Sequence, residues 1–429
     1  MKMRRFYLFS LGCKVNSYEN NAVGTMLAEK GYQKVESPEE ADVIILNTCS
    51  VTSRADQKSR QHISKMRKAN PKACLLVMGC YSQLHSSIAQ ELGADIVLGG
   101  ADRAKAYELI ESYFSNHEKI VDVKKTLRKE TYDEFGTASF SDMARAYLKI
   151  QDGCDNYCRY CLIPTTRGNS RSRRPGEAIK EAAKLTEQGF REIIVTGIHI
   201  GGYGQDLGDG SYRLSDLLSD ILKACPSLYR LRISSIEESE IDEGFLTLLK
   251  DNPQIASHLH IPLQSGSSSV LKRMGRKYDT DAFLKKLEWI RSILPEVAIT
   301  TDIIVGYPEE SEEEFQETLA FAKACRFAEI HVFPFSSRPG TYAATLKDVD
   351  PKIKKQRVHE LLSLSKELRK EYEAKFLGKE MEVLFEDYDP SKKIAYGHTS
   401  NYLLVSMPSE FSLHGQIRKI IYSDEVASD

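Results

Sequence analysis

Residues 151–164 read QDGCDNYCRYCLIP and place Cys154, Cys158 and Cys161 at C-x3-C-x2-C spacing, just after a strand-like run. Three thiolates this close together can each bind one iron of a cubane cluster, which leaves the fourth iron without a protein ligand. An open coordination position is typical of a catalytic metal site, whereas a structural site closes its coordination. The stretch therefore predicts an iron–sulfur cluster with one iron free for another molecule.

Two other interpretations of these cysteines remain. A structural zinc site is the weaker one, because no fourth Cys or His follows at zinc-knuckle spacing. Three buried cysteines acting as small hydrophobic side chains fit poorly with polar neighbours such as Asp152, Asp155 and Arg159.

The motif, with the aromatic residue Tyr160 directly before the last cysteine, resembles the signature of the radical S-adenosylmethionine (AdoMet) enzymes. In that superfamily the open iron binds AdoMet, and one electron from the cluster cleaves it to a 5′-deoxyadenosyl radical. The resemblance implies AdoMet as cofactor, Cys154, Cys158 and Cys161 as catalytic cluster ligands, and Tyr160 beside the cofactor. It does not define the substrate.

Length, composition and charge limit the class of protein to which the chain can belong. The chain has 429 residues, enough for two or three domains, and is 41% hydrophobic and 28% charged. No apolar run approaches the roughly 20 residues of a membrane span, and the N-terminus lacks a signal-peptide pattern. We expect a cytoplasmic protein without membrane contact, whose nine cysteines stay reduced. The net charge of −2 means that nucleic-acid binding would need local basic patches.

Strand-like and helix-like runs alternate up to about residue 125, which predicts an α/β domain with a parallel sheet. The predicted strands cover residues 5–10, 42–47, 73–78 and 95–98, and the predicted helices cover 16–30, a segment from about 53, and 82–92. Cys13, Cys49 and Cys80 each fall just beyond a strand end, at the edge of the sheet where ligands bind. This convergence predicts a second metal site. Cys74 lies inside a strand and is interpreted as a packing residue.

The middle of the chain predicts a partial (β/α)6 barrel after a charged linker at 122–143. Its six strands are expected at 146–150, 192–196, 229–234, 258–262, 298–305 and 329–333, which is short of the eight of a full barrel. The radical AdoMet resemblance implies the same fold. Catalytic groups of such barrels follow the strand ends, and the candidates for contact with AdoMet there are Gly197, Glu237, Gln264, Ser265 and Asp302. Ordinary loop chemistry is the alternative for each.

The C-terminal region combines a basic helix, expected at 351–370, with four short alternating runs that suggest a small β-barrel. This part resembles a TRAM domain, an RNA-binding module. From Glu371 onward, however, six Lys and Arg residues stand against eleven Asp and Glu residues. RNA contact here would therefore depend on shape, stacking and hydrogen bonds. A second basic helix follows Cys49; it is either a solvated face or a phosphate-tracking surface.

Together these parts resemble the methylthiotransferase family. The resemblance implies an N-terminal domain at 1–125 with an auxiliary [4Fe–4S] cluster on Cys13, Cys49 and Cys80, a radical AdoMet barrel at 140–370 and a TRAM-like domain at 371–429. The opening SLGCKVN (10–16) and the run RGNSRSR (167–173) look most like the branch acting on N6-threonylcarbamoyladenosine beside the tRNA anticodon. Sister branches act on isopentenyl-adenosine in tRNA or on an aspartate of a ribosomal protein.

The family resemblance implies a two-stage reaction with two molecules of AdoMet, a methyl donor and a radical source, and tRNA and a flavodoxin- or ferredoxin-like reductant as partners. Arg167 and Arg171 are the predicted cations for the substrate carboxylate, since an unpaired buried charge is costly. An ordinary surface is the other interpretation of these arginines. A rival from another class is an iron–sulfur RNA-binding protein without catalysis.

Overall fold

A six-stranded parallel sheet forms the N-terminal part of the protein. The computed structural model describes residues 3–125, 127, 131–140 and 143–427. The strands are β1 (Arg5–Ser10), β2 (Gln33–Lys34), β3 (Val43–Thr48), β4 (Cys74–Gly79), β5 (Ile96–Leu98) and β6 (Ile120–Asp122), in the order β2-β1-β3-β4-β5-β6. The helices are α1 (Lys14–Glu29), α2 (Ser53–Ala69), α3 (Cys80–Leu84), α4 (Ser86–Glu91) and α5 (Ala106–Asn116). Hydrophobic clusters cover both faces of the sheet.

The four predicted strands are present, and β3 and β4 are buried along their whole length, as continuous apolar runs indicate. The structure adds two short edge strands that were not predicted: β2 consists of two polar residues, and β6 contains two apolar residues followed by Asp122. Two helix predictions were wrong in detail. Helix α1 begins at Lys14 with Cys13 as its N-cap, two residues before the expected start. The helix expected at 82–92 is two helices, α3 and α4, separated at His85.

Six parallel strands form the partial barrel that the sequence predicts. They are β7 (Arg145–Lys149), β10 (Glu192–Thr196), β11 (Arg230–Ile233), β12 (His258–His260), β13 (Ala298–Val305) and β14 (Glu329–Pro334), with the short strands β8 (Gln151–Asp152) and β9 (Arg171–Ser172) paired beside the cysteine loop. Two three-stranded sheets, β7-β10-β11 and β12-β13-β14, are joined by isolated parallel bridges such as Ser235 to His260. One curved wall results.

Helices cover the outside of this wall and bury its outward side chains in the largest hydrophobic core. They are α7 (Pro175–Glu187), α8 (Leu214–Ala224), α9 (Glu243–Asp251), α11 (Thr280–Ile293), α12 (Glu312–Cys325) and α13 (Pro351–Glu373). Two shorter helices, α6 (Ile163–Thr166) and α10 (Ser268–Met274), lie outside this core. Among the described residues, no helix is long and apolar enough to cross a membrane.

The segment interpreted as a charged linker, 122–143, is partly core. Phe135, Ala138 and Phe140 pack against Tyr18 of α1 and the barrel core. The charge of the surrounding residues hid these apolar side chains, which lack helical or strand periodicity. Residues 126, 128–130 and 141–142 of this segment lie outside the described residues.

A curled antiparallel sheet ends the chain: β15 (Glu380–Asp389), β16 (Ile394–Thr399), β17 (Leu404–Pro408) and β18 (Ile417–Ile421), in the order β17-β16-β15-β18. Its β16–β17 turn packs against the amino ends of the barrel strands. Arg232 donates hydrogen bonds to the carbonyl oxygens of Thr399 and Ser400 at 3.1 and 3.2 Å, and the Tyr402 ring stacks on His258 at 4.7 Å.

Candidate active site between two cysteine triads

The three cysteines of the barrel lie in the loop between β8 and α6. Each sulfur accepts a hydrogen bond from a nearby N–H group: Cys154 from Asn156 N–H at 3.4 Å, Cys161 from Ile163 N–H at 3.4 Å, and Cys158 from Arg276 Nη1 at 3.3 Å. N–H donors and a guanidinium favour the thiolate, which is the form that binds iron. Gly153 fixes the start of the loop: its φ is +72°, and a Cβ there would lie 1.9 Å from Asn169 O.

Burial raises the pKa of the Cys154 thiol to about 11 and that of Cys161 to about 12. Without a metal these groups would hold their protons at neutral pH, so they are poor nucleophiles by themselves. A bound metal replaces the thiol protons and stabilises the thiolates, which offsets the effect of burial. Three sulfurs with hydrogen-bond donors aimed at them fit a [4Fe–4S] cluster better than they fit covalent catalysis.

Cys13, Cys49 and Cys80 come together at the carboxyl edge of the N-terminal sheet, as their positions after β1, β3 and β4 predict. Gly12 has φ +100°, and a Cβ there would be 2.7 Å from the Cys49 Cβ. Gly79, directly before Cys80, has φ +107°, and a Cβ there would be 2.4 Å from Thr48 O. Two glycines thus allow the strand ends to converge. Cys74 is fully buried inside β4, in agreement with a packing role.

Burial also raises the pKa of Cys49 to about 11, and the nearby thiols of Cys80 and Cys13 act in the same direction. Burial raises the pKa of Cys13 as well, while the nearby positive charge of Arg167 acts in the opposite direction. A triad of close thiols beside a guanidinium fits a second cluster with one open iron.

A pocket of about 260 Å³ separates the two triads. Cys80 of the first triad and Cys161 of the second both line it. The remaining walls come from the loop after β3, from the barrel loop with Tyr160, and from the ends of β13 and β14; they include Thr52, Gln264, Asp302, Ile304, Phe333 and Phe335. The pocket is therefore bordered by both cysteine triads.

The predicted AdoMet contacts fall into three groups. Tyr160, Gln264 and Asp302 line the pocket, and Gln264 has the left-handed φ of +71°. Glu237 lines a smaller neighbouring pocket with Cys158, where it accepts a hydrogen bond from Arg276. The third group makes close contacts with other parts of the protein. Ser265 is fully buried against Thr318, and a Cβ on Gly197 would lie 2.9 Å from Gln151 O.

Arg167 and Arg171 lie in a buried ion-pair network rather than at the barrel mouth. Arg167 is fully buried; its Nη1 lies 2.8 Å from Glu19 and 3.0 Å from Asp152. Arg171 lies 3.3 Å from the same aspartate. Both guanidinium groups are already paired, which argues against the predicted role in binding a substrate carboxylate. Lys149 completes the link at 2.7 Å from both Glu19 and Asp152.

Sequence reasoning missed Arg276, and it missed the contact of Asp302 with His260 and His331. Asp302 lies 3.3 Å from His260 and 3.1 Å from His331, and the two imidazole rings stack at 5.3 Å. Burial disfavours the Asp302 carboxylate, but hydrogen bonds from both histidines outweigh this and hold its pKa well below the ordinary value. Strand alternation could have placed the three on the inner face of the barrel, but not their mutual contact.

Comparison with known proteins agrees with this geometry. Residues 5–99 match the model of the uncharacterized protein family UPF0004, and residues 148–322 match that of the radical SAM superfamily. The chain is 42% identical to the threonylcarbamoyladenosine tRNA methylthiotransferase MtaB of Bacillus subtilis, over 96% of this chain and 92% of the relative. The Thermotoga maritima protein of the same name is 36% identical, over 94% and 91%.

A related group of proteins matches less closely. The tRNA-2-methylthio-N(6)-dimethylallyladenosine synthase of Geobacillus kaustophilus is 32% identical over 96% of this chain and 79% of that protein. Among solved structures, the radical S-adenosylmethionine methyltransferase TsrM from Kitasatospora setae, with cobalamin and a [4Fe–4S] cluster bound, superposes with a TM-score of 0.61 at 12% identity, covering 80% of this chain and 77% of that one. That likeness concerns the fold.

Proposed function

This chain belongs to the methylthiotransferase family of radical AdoMet enzymes, and on that premise we propose that it adds a methylthio group to C2 of N6-threonylcarbamoyladenosine next to the anticodon of tRNA. Two [4Fe–4S] clusters and AdoMet are the cofactors. The observation that carries the proposal is that Cys80 of one triad and Cys161 of the other line the same pocket, because sulfur delivery and radical formation must meet at one carbon atom.

We assign Cys154, Cys158 and Cys161 to the AdoMet cluster and Cys13, Cys49 and Cys80 to the auxiliary cluster. When bound, the barrel cluster and AdoMet supply a carbon radical strong enough for the adenine C2–H bond, while the auxiliary cluster holds the sulfur to be transferred. The chain itself supplies the walls. Tyr160, Gln264 and Asp302 are our candidates for AdoMet contact, and Phe333 and Phe335 are apolar walls against which a base can pack.

The exposed face of α2 is our candidate for tRNA contact. Thr52, at its N-cap, lines the pocket, so the helix leads away from the pocket mouth. Arg54, Lys58 and Lys65 are exposed along it, whereas Arg67 is engaged with Asp95 and several carbonyl groups. Exposed cations along one helix suit a phosphate backbone. The domains 1–125, 140–370 and 371–429 then correspond to sulfur delivery, radical chemistry and RNA contact.

The decisive experiment is mass spectrometry of tRNA nucleosides from cells with and without the gene. Loss of the 2-methylthio form of N6-threonylcarbamoyladenosine supports the proposal. Loss of the isopentenyl counterpart would assign the protein to the sister branch instead, and an unchanged nucleoside profile would contradict a tRNA substrate. The reductant is proposed to be flavodoxin- or ferredoxin-like, and supplying each in turn to the purified enzyme identifies it.

Two triple variants separate the roles of the triads. Replacing Cys154, Cys158 and Cys161 with Ala should leave about half the iron, as expected for one remaining four-iron cubane, and abolish AdoMet cleavage. Replacing Cys13, Cys49 and Cys80 should also halve the iron but preserve 5′-deoxyadenosine formation while methylthio transfer stops. A chain that binds iron and RNA but never cleaves AdoMet would be the non-catalytic RNA-binding protein.

A further inference from the structure

The inner face of the barrel is charged, although its outer face is apolar. Along β11, Leu231 and Ile233 point into the hydrophobic core, while Arg232 contacts Glu192 of β10 at 2.7 Å. Side chains alternate between the two faces of a strand. The charged side chains of β11 and β10 therefore face the interior, as do the contacting side chains His260, Asp302 and His331 on β12, β13 and β14.

Lys14 of the N-terminal domain reaches into this interior. It is the first residue of α1 and directly follows the cluster ligand Cys13. Its ammonium group is within electrostatic reach of side chains on five barrel strands: Arg145, Arg232, His258, Asp302 and His331. Only a position inside the barrel is near all five. The residue nevertheless remains exposed to solvent, so it lines an open space rather than packed core.

The other charges of the interior are balanced, but Lys14 is not. Arg145 lies 2.6 Å from Glu386, Arg232 pairs with Glu192, and Asp302 is shared by two histidines. Lys14 makes no ion pair and no hydrogen bond within the part of the chain that the structure describes. Asp302, the carboxylate within electrostatic reach of Lys14, is already shared by His260 and His331, so Lys14 has no directly paired anion among the described residues.

We propose that Lys14 binds the carboxylate of the threonylcarbamoyl group, and so selects this substrate over adenosines with an apolar N6 group. The inference rests on the proposed function and replaces Arg167 and Arg171, whose guanidinium groups are paired inside the protein. The chemistry fits, because an ammonium group on a flexible stem suits a single carboxylate.

The position of Lys14 in the chain matches the shape of the substrate. C2 and C6 of adenine are both bonded to N1, so the N6 group leaves the ring close to the carbon that reacts. Consecutive Cα atoms are about 3.8 Å apart, so Lys14 is adjacent to a ligand of the cluster that would deliver sulfur. A base whose C2 faces Cys13 and its partners thus brings its N6 group within reach of the lysine.

Selectivity follows from the cost of leaving the charge unpaired. An isopentenyl group would place an apolar chain beside Lys14 and leave the ammonium group partly desolvated without an anion. A site built around a charged partner rejects analogues that lack it more strongly than an apolar pocket rejects an added group. Lys14 is therefore a specificity residue, distinct from the groups that generate the radical.

The test compares anticodon stem-loop RNAs that differ at one group. One carries N6-threonylcarbamoyladenosine, the second carries the same group with its carboxylate converted to a carboxamide, and the third carries isopentenyl-adenosine. The reconstituted wild-type protein, Lys14→Met and Lys14→Arg are assayed for KM and kcat, together with iron content. Lys223→Met is the matched control, since this lysine is exposed on the outer helix α8.

Lys14→Met should raise KM for the carboxylate RNA about 30-fold or more, as loss of one partner of a desolvated charge pair implies. It should leave KM for the carboxamide RNA nearly unchanged, so that the preference for the carboxylate disappears. Lys14→Arg should retain most of that preference, and Lys223→Met all of it. Lys14→Met with the wild-type preference would overturn the inference.

Other outcomes separate the inference from the function. A wild-type enzyme that modifies only the isopentenyl RNA refutes the proposed function and the role of Lys14 together. A wild-type enzyme that modifies the threonylcarbamoyl RNA without preferring it to the carboxamide refutes the role of Lys14 alone. If Lys14→Met fails to load its clusters, binding of the RNAs to cluster-free wild type and variant is compared by fluorescence anisotropy; loss of the carboxylate preference supports the inference, and its retention overturns it.

Discussion

Arg167 illustrates how much a single residue depends on distant sequence. Its ion-pair partner Glu19 stands 148 positions earlier in the chain, so no local pattern distinguishes a buried structural arginine from a surface arginine that binds substrate. The grouping of six cysteines into two triads was predictable, because their spacing and their positions after strands are local features. The pairing of charges inside the protein was not, because it depends on which chain segments meet.

We expect Arg167→Met to destabilise the protein by about 3 kcal/mol, since it leaves Glu19 and Asp152 buried with fewer cations. Thermal and urea unfolding measure this change. Arg174→Met is the matched control, because Arg174 is exposed on the same segment, and it should change stability by less than about 0.5 kcal/mol. A stable Arg167→Met protein with a raised KM for tRNA would restore the substrate role predicted from the sequence.

Gly12 is a second residue whose role is conformational. Gly12→Ala should disrupt the first triad, because φ is +100° and the new Cβ would lie 2.7 Å from the Cys49 Cβ. The expected result is loss of about half the iron, with AdoMet cleavage retained and methylthio transfer abolished. Gly176→Ala, on α7 with no atom within 4 Å of the added carbon, should behave as wild type. A wild-type iron content in Gly12→Ala would show that the triad still binds a cluster when the segments carrying Cys13 and Cys49 are further apart.

At the scale of elements, strand cores were predictable and boundaries were less so. Helix α1 starts at Lys14 instead of Asn16 because Asn16 does not cap the helix; its side-chain amide donates to Leu11 O and Thr48 O. This role ties α1 to the ends of β1 and β3. A good capping residue in a sequence therefore indicates roughly where a helix begins. Tertiary hydrogen bonds determine the exact residue at which it begins.

Helix α2 gives a prediction at this scale. Replacing Arg54, Lys58 and Lys65 with Gln should weaken tRNA binding and reduce the slope of log K against log salt by about 0.7 to 0.9 for each phosphate that is no longer neutralised. Fluorescence anisotropy over a salt series measures both. The matched control replaces Lys180, Lys184 and Lys223 on the outer helices α7 and α8. Equal effects from the two triple variants would contradict a specific tRNA face on α2.

At the scale of the whole molecule, Glu192 connects the barrel to the C-terminal sheet through the arginines it pairs with. Burial opposes ionisation of Glu192, but Arg232 and Arg230 outweigh it and lower its pKa to about 2. Since the folded pKa lies below the unfolded value near 4.5, this stabilisation is complete above about pH 4.5 and is lost as the pH falls towards 2.

Glu192→Gln should therefore loosen the C-terminal sheet at neutral pH, because Arg230, Arg232 and Arg145 lose their shared anion. Removing one partner of a buried ion pair should lower the free energy of unfolding by about 3 kcal/mol. Limited proteolysis of the C-terminal region at pH 7, and again at pH 3, reports it: the difference between variant and wild type should shrink at the lower pH. Glu187→Gln, on the exposed end of α7, is the control. A variant as resistant as wild type at pH 7 would show that Tyr402 stacking holds the sheet without the ion pairs.

The buried network around Glu19 has a consequence for building chimeras. Glu19 belongs to the N-terminal domain, whereas Lys149 and Arg167, both in contact with it, belong to the barrel. An exchange of domains between relatives at a junction near residue 125 would pair a carboxylate from one parent with cations from the other. Such hybrids are expected to fold only when these three positions come from compatible parents, so recombination should treat them as one inherited block.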